Sequence, residues 1–534
     1  MNGREVARPI RLAPSVVDIV YLSNGFSLLY IRGNQAQAEM YLKFGVVKNP
    51  TDEVLESYMH TRFHLDPPKH PPKHKKHSDQ EFVHLRCAYN NKYLVAVESV
   101  VRPCSKPVYL MGTADEPEED LSKPWCTLFR VELLAHHDGP YFQNQVRFHR
   151  PDEDQSVGFY CGDDNIYFDV HLDDAAKRII MPKYVVFKGD NSFYLRVDDK
   201  DYLQFSSSDV NEASARFAAF NYSCGRVRIQ SAANGKFLRL TADRMWVYAD
   251  ATSIEDGTLF IALKFSDFIA LQPDLTDIFC MSLNQGNIDW LGTGDSITEK
   301  AKLRLEEPVL EREIYNIQYH GVDHSRIYDT TNMNMVTASA VNMTSEKNTI
   351  KSSLAITTRE SSKWEATDIP KAGISVKLSA ETKLNVLGFV DVKTGLEVQL
   401  GHEFARATNW GTSSETEKKQ EVEYQVTVPA NKKVTLTVIA TQAKYDVPFS
   451  YTQKDTLPNG EIKIYNYDDG LYSGMNSFDL HYETKEEEII VKRDEEEIET
   501  PSKKKKRRDV LLSDGRTTSN DKERRVISSY RLIK

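Results

Sequence analysis

Residues 374–404 alternate between apolar and polar side chains, and this alternation limits the folds open to the chain more than any other feature. The stretch reads ISVKLSAETKLNVLGFVDVKTGLEVQLGHEF, with apolar or nearly apolar residues at even positions from Ile374 to Val386 and again from Val390 to Leu400. A period of two is typical of a β-strand, whose successive side chains point to opposite faces. Each arm has about 13 residues, more than the roughly 9 to 11 that a tilted membrane-spanning strand needs. The stretch therefore predicts two long strands, each with one apolar and one polar face.

The predicted turn between these strands is apolar on both faces, because the alternation fails at Leu387 and Phe389 on either side of Gly388. A hairpin in water normally turns through Asn, Asp or Gly, and an apolar turn is costly unless it is buried or inserted. We therefore expect hairpin 374–404 to enter a membrane with its tip first. The expected membrane-inserting residues are Val386, Leu387, Gly388, Phe389 and Val390.

One hairpin cannot insert alone, since lipid does not tolerate an open sheet edge. Several chains must close a barrel with the apolar face outward, and a barrel of at least about eight strands requires about four chains at two strands each. The prediction is therefore a homo-oligomer that contacts membrane on insertion. The alternative is a half-buried hairpin in a soluble sandwich, which alternation by itself also allows.

Composition places this hairpin in a multidomain protein. The chain has 534 residues, 40% of them hydrophobic, and a formal net charge of −10, which favours solubility and argues against nucleic-acid binding. All six cysteines lie in the first 280 residues without CxxC spacing, which indicates a reducing compartment and neither a zinc site nor a disulfide scaffold. The N-terminal residues lack the apolar core of a signal peptide, so we expect a cytoplasmic protein.

A strand–turn–strand unit recurs between residues 180 and 306. YVVFKGDNSFYLRV begins at Tyr184, VRIQSAANGKFLRL at Val227 and FIALQPDLTDIFCMSL at Phe268, so the unit returns after 43 and then 41 residues. Three copies of short alternating strands with polar turns predict a β-trefoil, in which no copy buries its apolar face alone.

A less regular set of the same units precedes it. FVHLRCAYNNKYLVA from Phe82 aligns without a gap on RVRIQSAANGKFLRL from Arg226, so residues 36–175 are predicted to form a divergent second trefoil after an N-terminal segment, 1–35. The insertion HLDPPKHPPKHKKH, from His64, contains four histidines that could ligate a metal. Proline and interleaved lysine disfavour such a site, so we expect a solvated loop, no metal and no cofactor.

The exposed turns of the repeats carry candidate sugar contacts. Sugar recognition needs side chains that both donate and accept hydrogen bonds, beside an aromatic ring that covers the apolar face of a pyranose. The candidate residues are Tyr89, Asn90, Asn91, Asn234, Gly235 and Trp246, with Trp290 and Trp125 as further stacking faces. Asn-Gly and Asn-Asn pairs are also what a tight turn requires, so turn chemistry is the alternative for each asparagine.

The segments MPKYVVFKGDNSFYLRV, DYLQFSSSDVNEASARF and VRIQSAANGKFLRL resemble the agglutinin domain of the amaranthin family of plant lectins. The resemblance is specific over residues of about 181–306 and weaker over 36–175. It implies β-trefoils that bind galactose- and N-acetylgalactosamine-containing glycans and form dimers with a shared site. It also implies that the turns at 89–91 and 233–235 contact the sugar.

Residues 307–485 lack the trefoil period and contain strands such as VEYQVTVP and KVTLTVIAT. The Ser/Thr-rich flanks of the hairpin, TASAVNMTSEKNTIKSSLAITTRESSKWEAT and RATNWGTSSETEKK, with YDVPFSYTQKDTLPNG following, resemble the aerolysin-type β-pore-forming module. This resemblance implies an elongated β-module that assembles into a ring and releases its hairpin. Trp364 and Trp410, on either side of Gly388, could mark the base of the stem, and an ordinary core would explain them equally.

The last segment, 486–534, has acidic and then basic blocks with few aromatics, which predicts a disordered tail. Its run KKKKRR, Lys503 to Arg508, could direct nuclear import, attract anionic lipid or be a solvated tail without a partner. We found no HExxH, GxSxG or P-loop spacing, so an enzyme is not expected.

The sequence as a whole predicts an all-β lectin that directs a pore-forming module to glycosylated membranes, and its resemblance to plant lectins implies a role in defence. The alternative is an intracellular carbohydrate- or protein-binding protein whose β-module serves only in self-association.

Overall fold

The computed structural model separates into two compact units, which are described in turn. The first contains Met1–Tyr328, Ser362–Ser414 and Lys444–Gly474, and the second contains Asp329–Ser361, Glu415–Ala443 and Met475–Lys534. The structure describes residues 16–21, 26–30, 42–45, 61–70, 81–98, 108–136, 144–151, 156–157, 159–161, 165–167, 169–222, 225–274, 276–320, 324–365, 376–378, 388–391, 396–399, 413–489 and 530–531. These residues form strands and short 3-10 turns, which confirms the all-β prediction. Among them, no helix has the length and apolarity needed to cross a membrane.

Six strands of the first sheet close a ring, in the order β1-β12-β9-β8-β5-β4, with β4 pairing again with β1. Three hairpins, β2–β3, β6–β7 and β10–β11, complete the sheet. Closure pairs the ring strands on both sides, so the ring has no free edge. The strands are β1 Val16–Tyr21, β2 Phe26–Tyr30, β3 Leu42–Gly45, β4 Arg62–Asp66, β5 Glu81–Cys87, β6 Tyr93–Glu98, β7 Val108–Ala114, β8 Leu128–His136, β9 Asn144–His149, β10 Phe159–Cys161, β11 Asn165–Tyr167 and β12 Asp169–Asp174.

Two features of the first ring differ from the sequence-based prediction. The ring begins at Val16, so the described strands of segment 16–35, which lacks a recognisable repeat, belong to it. His64 lies in strand β4, opposite Arg86, and not in the predicted loop insertion. Pairing with β12, which is distant in sequence, positions β1, and pairing with β1 and β5 positions β4.

The second sheet repeats the same scheme with β13-β16-β17-β20-β21-β24. A bridge between Ile269 and Leu303 joins β21 to the segment leading into β24, which pairs with β13. The hairpins are β14–β15, β18–β19 and β22–β23. The strands are β13 Tyr184–Lys188, β14 Tyr194–Val197, β15 Leu203–Ser207, β16 Phe217–Tyr222, β17 Arg226–Ser231, β18 Phe237–Leu240, β19 Val247–Ala251, β20 Phe260–Lys264, β21 Ile269–Pro273, β22 Phe279–Gln285, β23 Ile288–Gly294 and β24 Arg304–Glu306, with 3-10 turns at Ala175–Lys177, Ala213–Ala215 and Glu299–Ala301.

Each ring encloses its own apolar core, because alternate side chains of its strands point inward. In β16 and β17 every second residue is buried. The first core contains Val17, Ile19, Phe63, Leu85, Leu94, Phe129, Phe148 and Val170. The second contains Val185, Phe187, Leu195, Phe205, Phe217, Ile229, Leu238, Val247, Phe260, Leu271 and Leu291.

The remaining strands form an eight-stranded sheet and an isolated pair, β29–β30. In the sheet, the order is β28-β25-β32-β33-β27-β31, with β26 beside β32 and β34 beside β33. Several strands greatly exceed the usual length of about 3–10 residues. The strands are β25 Glu311–Tyr319, β26 Arg326–Asn342, β27 Asn348–Glu365, β28 Val376–Leu378, β29 Gly388–Asp391, β30 Leu396–Gln399, β31 Ser413–Val428, β32 Lys432–Thr456, β33 Ile462–Glu488 and β34 Tyr530–Arg531.

Within the first unit, the part of this sheet that contains β25 has an aromatic core. The ring of Trp364 lies 4.4 Å from that of Tyr472 and 5.3 Å from that of Phe449, and Tyr319 packs against all three. Trp364 is 4% exposed. Its surroundings therefore match the ordinary-core explanation of this tryptophan.

Within the second unit, apolar side chains of even-numbered residues on β27 and β31 are directed inward. Ile356 is buried with Leu436 and Val438, and Val426 and Val428 form a second cluster with Val434. Odd-numbered residues on both strands are exposed along most of their described length. The side-chain amide of Asn342 closes the end of the sheet by donating to the carbonyls of Val428 at 3.0 Å and Pro429 at 3.1 Å.

Candidate functional sites

The predicted sugar contact in the first ring, the turn at 89–91, is buried. Tyr89 is 1% exposed and Asn90 is not exposed at all. The side-chain oxygen of Asn90 accepts a hydrogen bond from the backbone N–H of Lys92 at 3.1 Å. In this conformation the side chains of Tyr89 and Asn90 are unavailable to a ligand.

Asn91 connects the same turn to strand β32, within the first unit. It adopts a left-handed backbone conformation with φ of 57°, which asparagine tolerates better than most residues. Its side-chain oxygen accepts from Arg86 at 2.7 Å, and its amide donates to Asp446 at 3.1 Å. Arg86 also pairs with Asp66 at 2.7 Å. These contacts give the turn a structural role.

The second predicted contact, the turn at 233–235, is at the surface. The amide of Asn234 donates to Asp201 and to the carbonyl of Ala249, both at 2.9 Å, and its oxygen accepts from the backbone of Lys236 at 3.0 Å. Gly235 has a φ of +70° and open space around its Cβ position, so glycine is required by backbone conformation and not by crowding. Both amide hydrogens of Asn234 are thus engaged within the protein, as the turn-chemistry alternative predicts.

Four aromatic residues, here called the aromatic cap, lie at the backbone contacts between the three hairpins of the second ring. They are Tyr202, Trp246, Tyr248 and Trp290. Three cross-repeat backbone contacts hold the hairpins together in cyclic order. They join Tyr202 to Tyr248, Trp246 to Gly292, and Gln204 to Trp290. Each contact joins one repeat to the next, so Tyr202, Trp246 and Trp290 occupy equivalent positions.

The aromatic cap combines ring surface with polar groups. The ring of Tyr202 lies 4.9 Å from that of Tyr248 and 5.7 Å from that of Trp290, each in an edge-on arrangement. Tyr202 is 36% exposed, and the neighbouring Met245 is 54% exposed. Burial, with the nearby charge of Asp243, raises the pKa of Tyr248 above its ordinary value. Aromatic faces beside hydroxyl and amide groups are suited to the apolar face of a pyranose.

The sequence predicted part of this cluster. Trp246 was a candidate contact and Trp290 a candidate stacking face, whereas Tyr202 and Tyr248 were missed. Their signal lies in the buried residues Leu203, Val247 and Leu291, each of which follows one of the equivalent aromatics. When the three repeats are aligned on these buried residues, Tyr202, Trp246 and Trp290 fall at the same alignment position. When the repeats are aligned on their turns, these three residues do not align. Trp125, which is 56% exposed, lies between β7 and β8 of the first ring and outside the aromatic cap.

The hairpin predicted over 374–404 is paired differently in this structure. Val376–Leu378 forms β28 and pairs in parallel with Arg312–Ile314 of β25. Gly388–Asp391 pairs with Leu396–Gln399, which places the connection of this pair at 392–395. Gly388 therefore lies in a strand, and the prediction that it forms the turn is wrong for this conformation. The physical reason is that the edge of β25 supplies backbone hydrogen-bond partners to the described residues of the first arm, Val376–Leu378.

Of the predicted membrane-inserting residues, Gly388, Phe389 and Val390 lie in β29. Val386 and Leu387 are outside the described residues, as is Trp410. His74 and His77 of the predicted loop are outside them too. In the part of the chain that the structure describes, no three His, Cys, Asp or Glu side chains are grouped as a metal would require.

The strands that flank the hairpin, β27 and β31, are hydrogen-bonded neighbours. Their described segments in the second unit carry polar contacts along the exposed face. The hydroxyls of Thr349 and Thr427 are 3.0 Å apart, and Arg359 donates to Glu417 at 3.1 Å. The apolar residues that these segments bury or half-bury, such as Ile356 and Val426, are at even positions, which is the parity of hairpin 374–404. Nearer the hairpin, the even positions of both strands are mostly polar, as at Glu360 and Lys418.

A buried charge cluster lies at the first arm of the hairpin. Arg312 pairs with Glu307 at 2.6 Å and with Asp455 at 2.8 Å, and its backbone is opposite Val376. Burial raises the pKa of Glu307 even though the charge of Arg312 lowers it. Breaking one partner of a buried ion pair leaves an uncompensated charge, so this cluster fixes the strand on which the first arm rests.

Comparison with known proteins assigns part of the chain to a family. Residues 179–286 match the family model of the agglutinin domain. The match contains the turn at 233–235 and, of the aromatic cap, Tyr202, Trp246 and Tyr248. The chain therefore carries an agglutinin domain at these residues, as the sequence resemblance predicted. No curated protein matches the chain.

Solved structures give similarities at low identity. The lamprey immune protein is 13% identical over 65% of this chain and 88% of its own, with a TM-score of 0.25. Parasporin-2 of Bacillus thuringiensis, a toxin that recognises cancer cells, is 19% identical over 33% and 74%, with a TM-score of 0.18. An aerolysin-like protein of Bombina maxima is 9% identical over 33% and 99%, with a TM-score of 0.21. Similarity at these TM-scores does not by itself establish a common fold.

Proposed function

We propose that this protein is a lectin that directs a pore-forming module to glycosylated membranes. Its agglutinin domain binds galactose- or N-acetylgalactosamine-containing glycans, and the module then oligomerises and inserts hairpin 374–404 as part of a pore. The proposed role is defence, and the proposed resting location is the cytoplasm, with nuclear entry through the basic run at 503–508 as an option. The agglutinin match at 179–286 supports the first step.

The single observation that carries the second step is the common parity of the hairpin and its flanking strands. Hairpin 374–404 has its apolar residues at even positions, and the even positions of β27 and β31 are the inward-facing ones in the second unit. The hairpin itself therefore has one largely apolar and one largely polar face from Ile374 to Leu400, on the same parity as the inward-facing Ile356 and Val426 of the flanking strands. This is the pattern that a lipid-facing and water-lining strand pair requires.

Dye release from liposomes tests this proposal. Liposomes bearing a galactose-terminated glycolipid are expected to leak with the wild-type protein, and liposomes without the glycan are expected to leak much less. Leu387→Asp with Phe389→Asp is expected to reduce leakage to background, because two carboxylates at the tip must cross the hydrocarbon core.

The matched control changes two exposed apolar residues outside the hairpin, Ile462→Asp with Ile464→Asp, which are 54% and 58% exposed. This control is expected to leak like the wild type. Equal leakage from the tip variant and the wild type would contradict insertion through the tip. A wild-type protein that forms oligomers on glycan-bearing liposomes without any leakage would favour the self-association alternative.

A further inference from the structure

Side-chain contacts between the two strands that flank the hairpin, β27 and β31, define the register in which these strands pair. In the second unit, Thr349 contacts Thr427 and Arg359 contacts Glu417 across the β27–β31 ladder. In residue number, Gly388 is the midpoint of both pairs. A third contact, from Ser353 to Glu421 at 3.3 Å, joins residues whose midpoint is 387, as expected for a diagonal neighbour in the same ladder. From one pair to the next, the residue number on β27 rises while the residue number on β31 falls, so the two strands are antiparallel.

The pairing seen within the hairpin segment has a different register. In the isolated pair β29–β30, Phe389 is opposite Val398, and Val390 is opposite Glu397. The midpoint of these pairs lies between Lys393 and Thr394. Because this midpoint falls between two residues, even-numbered residues are opposite odd-numbered ones in the ladder, as Val390 is opposite Glu397.

A hairpin whose even-numbered residues pair with odd-numbered ones cannot have one apolar face and one polar face. Directly opposite residues of an antiparallel pair lie on the same face, and a shift by an odd number of residues moves every side chain of one strand to the other face. If the hairpin instead continues the β27–β31 ladder, Leu378 is opposite Val398 and Lys377 is opposite Gln399. Apolar residues then meet apolar ones and polar residues meet polar ones.

We propose that the inserted hairpin continues the β27–β31 ladder without a change of register, with Gly388 as its tip, and that β28 and β29–β30 hold its arms in an incompatible register at rest. This inference rests on the proposed pore-forming function and specifies the active conformation. The partner of Val398 changes from Phe389 to Leu378, a shift of eleven positions, and Leu378 leaves Ile314 of β25.

The resting pairing is suited to release. The strands β29 and β30 have four residues each and pair only with each other in the described part of the chain. A two-stranded pair of this kind is marginally stable in water. The β27–β31 ladder, in contrast, is long and already formed, so it provides a template on which the arms extend in the same register.

Paired cysteines distinguish the two registers, because directly opposite residues are within reach of a disulfide. In the full-length protein, Phe389→Cys with Val398→Cys is expected to cross-link under mild oxidation in solution and to release no dye until reduced. Leu378→Cys with Val398→Cys is expected not to cross-link in solution and to do so in detergent-resistant oligomers recovered from glycan-bearing liposomes. Lys377→Cys with Gln399→Cys, on the polar face, is expected to behave like the second pair.

Val398→Cys alone is the control for reactions with the natural cysteines. If the wild type releases dye but neither ladder pair cross-links in the recovered oligomers, the register inference is wrong while the pore-forming function stands. The same conclusion follows if the oxidised Phe389–Val398 pair releases dye like the wild type. If the wild type itself releases no dye, the proposed function fails, and this inference fails with it.

Discussion

At the scale of single residues, three asparagines show why a turn motif predicts structure more safely than it predicts a ligand. In each, the side-chain oxygen accepts a hydrogen bond from the backbone N–H two residues further on, at 3.0–3.1 Å. These residues are Asn90, Asn191 and Asn234. The asparagine mimics a backbone turn, which requires no neighbour outside the local segment.

The burial of each turn depends on residues outside the turn itself. Tyr89 and Asn90 are buried in the first ring, and Asn91 bonds to Asp446, which lies 355 positions away. The sequence identifies the turn because its hydrogen bonds are local. It does not identify the burial, because the burying residues come from a distant part of the chain.

His64 makes the stability of the protein depend on pH. Burial lowers its pKa to about 4, with help from the charges of Arg86 and Arg62 and against the opposing charge of Asp66. The unfolded chain binds the same proton at the ordinary value of 6.5. The stability that this group contributes is therefore fully present above pH 6.5 and is lost as the pH falls towards 4. The loss is at most about 3 kcal/mol.

We expect His64→Gln to flatten the fall in the free energy of unfolding between pH 6.5 and pH 4, as measured by urea denaturation. His70→Gln is the control, since the side chain of His70 is 90% exposed. A pH dependence in His64→Gln as steep as that of the wild type would contradict the assignment.

At the scale of elements, hydrophobic parity determines which face of a strand is buried but not which strand it pairs with. In β27 and β31 the buried apolar residues, Ile356, Val426 and Val428, share one parity, as a period of two requires. The pairing of Val376–Leu378 with β25 could not be read along the sequence, because the same alternating strand can form hydrogen bonds with any free edge. Backbone hydrogen bonds carry no sequence information, so only tertiary structure selects the partner.

Close packing between strands predicts a second measurable effect. A Cβ atom on Gly470 would lie 2.3 Å from the ring of Phe449, which is fully buried. Gly470→Ala is therefore expected to lower the free energy of unfolding by about 1–3 kcal/mol, as overpacking does. In a Phe449→Leu background the same change is expected to cost less, because the smaller side chain leaves room. Equal costs in both backgrounds, measured by thermal or urea unfolding, would rule out this contact as the cause.

At the scale of the whole molecule, the two proposed activities depend on different residues. Glycan binding is assigned to the aromatic cap of the second ring, of which Tyr202, Trp246 and Tyr248 lie within the agglutinin match at 179–286. Membrane insertion is assigned to hairpin 374–404. If these assignments are right, each activity can be removed without the other.

We expect Trp246→Ala with Trp290→Ala to weaken binding to galactose-containing glycans on an array by about tenfold or more, since each lost stacking face is worth about 1 kcal/mol beyond its buried area. The tip variant, Leu387→Asp with Phe389→Asp, is expected to bind the same glycans like the wild type. Loss of glycan binding in the tip variant, or unchanged binding in the tryptophan variant with its fold preserved, would contradict the separation.

By itself the sequence determined the all-β class and the local turns at Asn90 and Asn234, because these follow from local periodicity and local hydrogen bonding. The two faces of hairpin 374–404 stay a prediction from the same periodicity. Tertiary structure alone decided that strand β1 belongs to the first ring, that Tyr89 and Asn90 are buried, and that three hairpins bring Tyr202, Trp246 and Trp290 to equivalent positions. It also decided the resting register of β29–β30. These features depend on contacts between residues far apart in the chain, and such contacts leave no periodic mark along it.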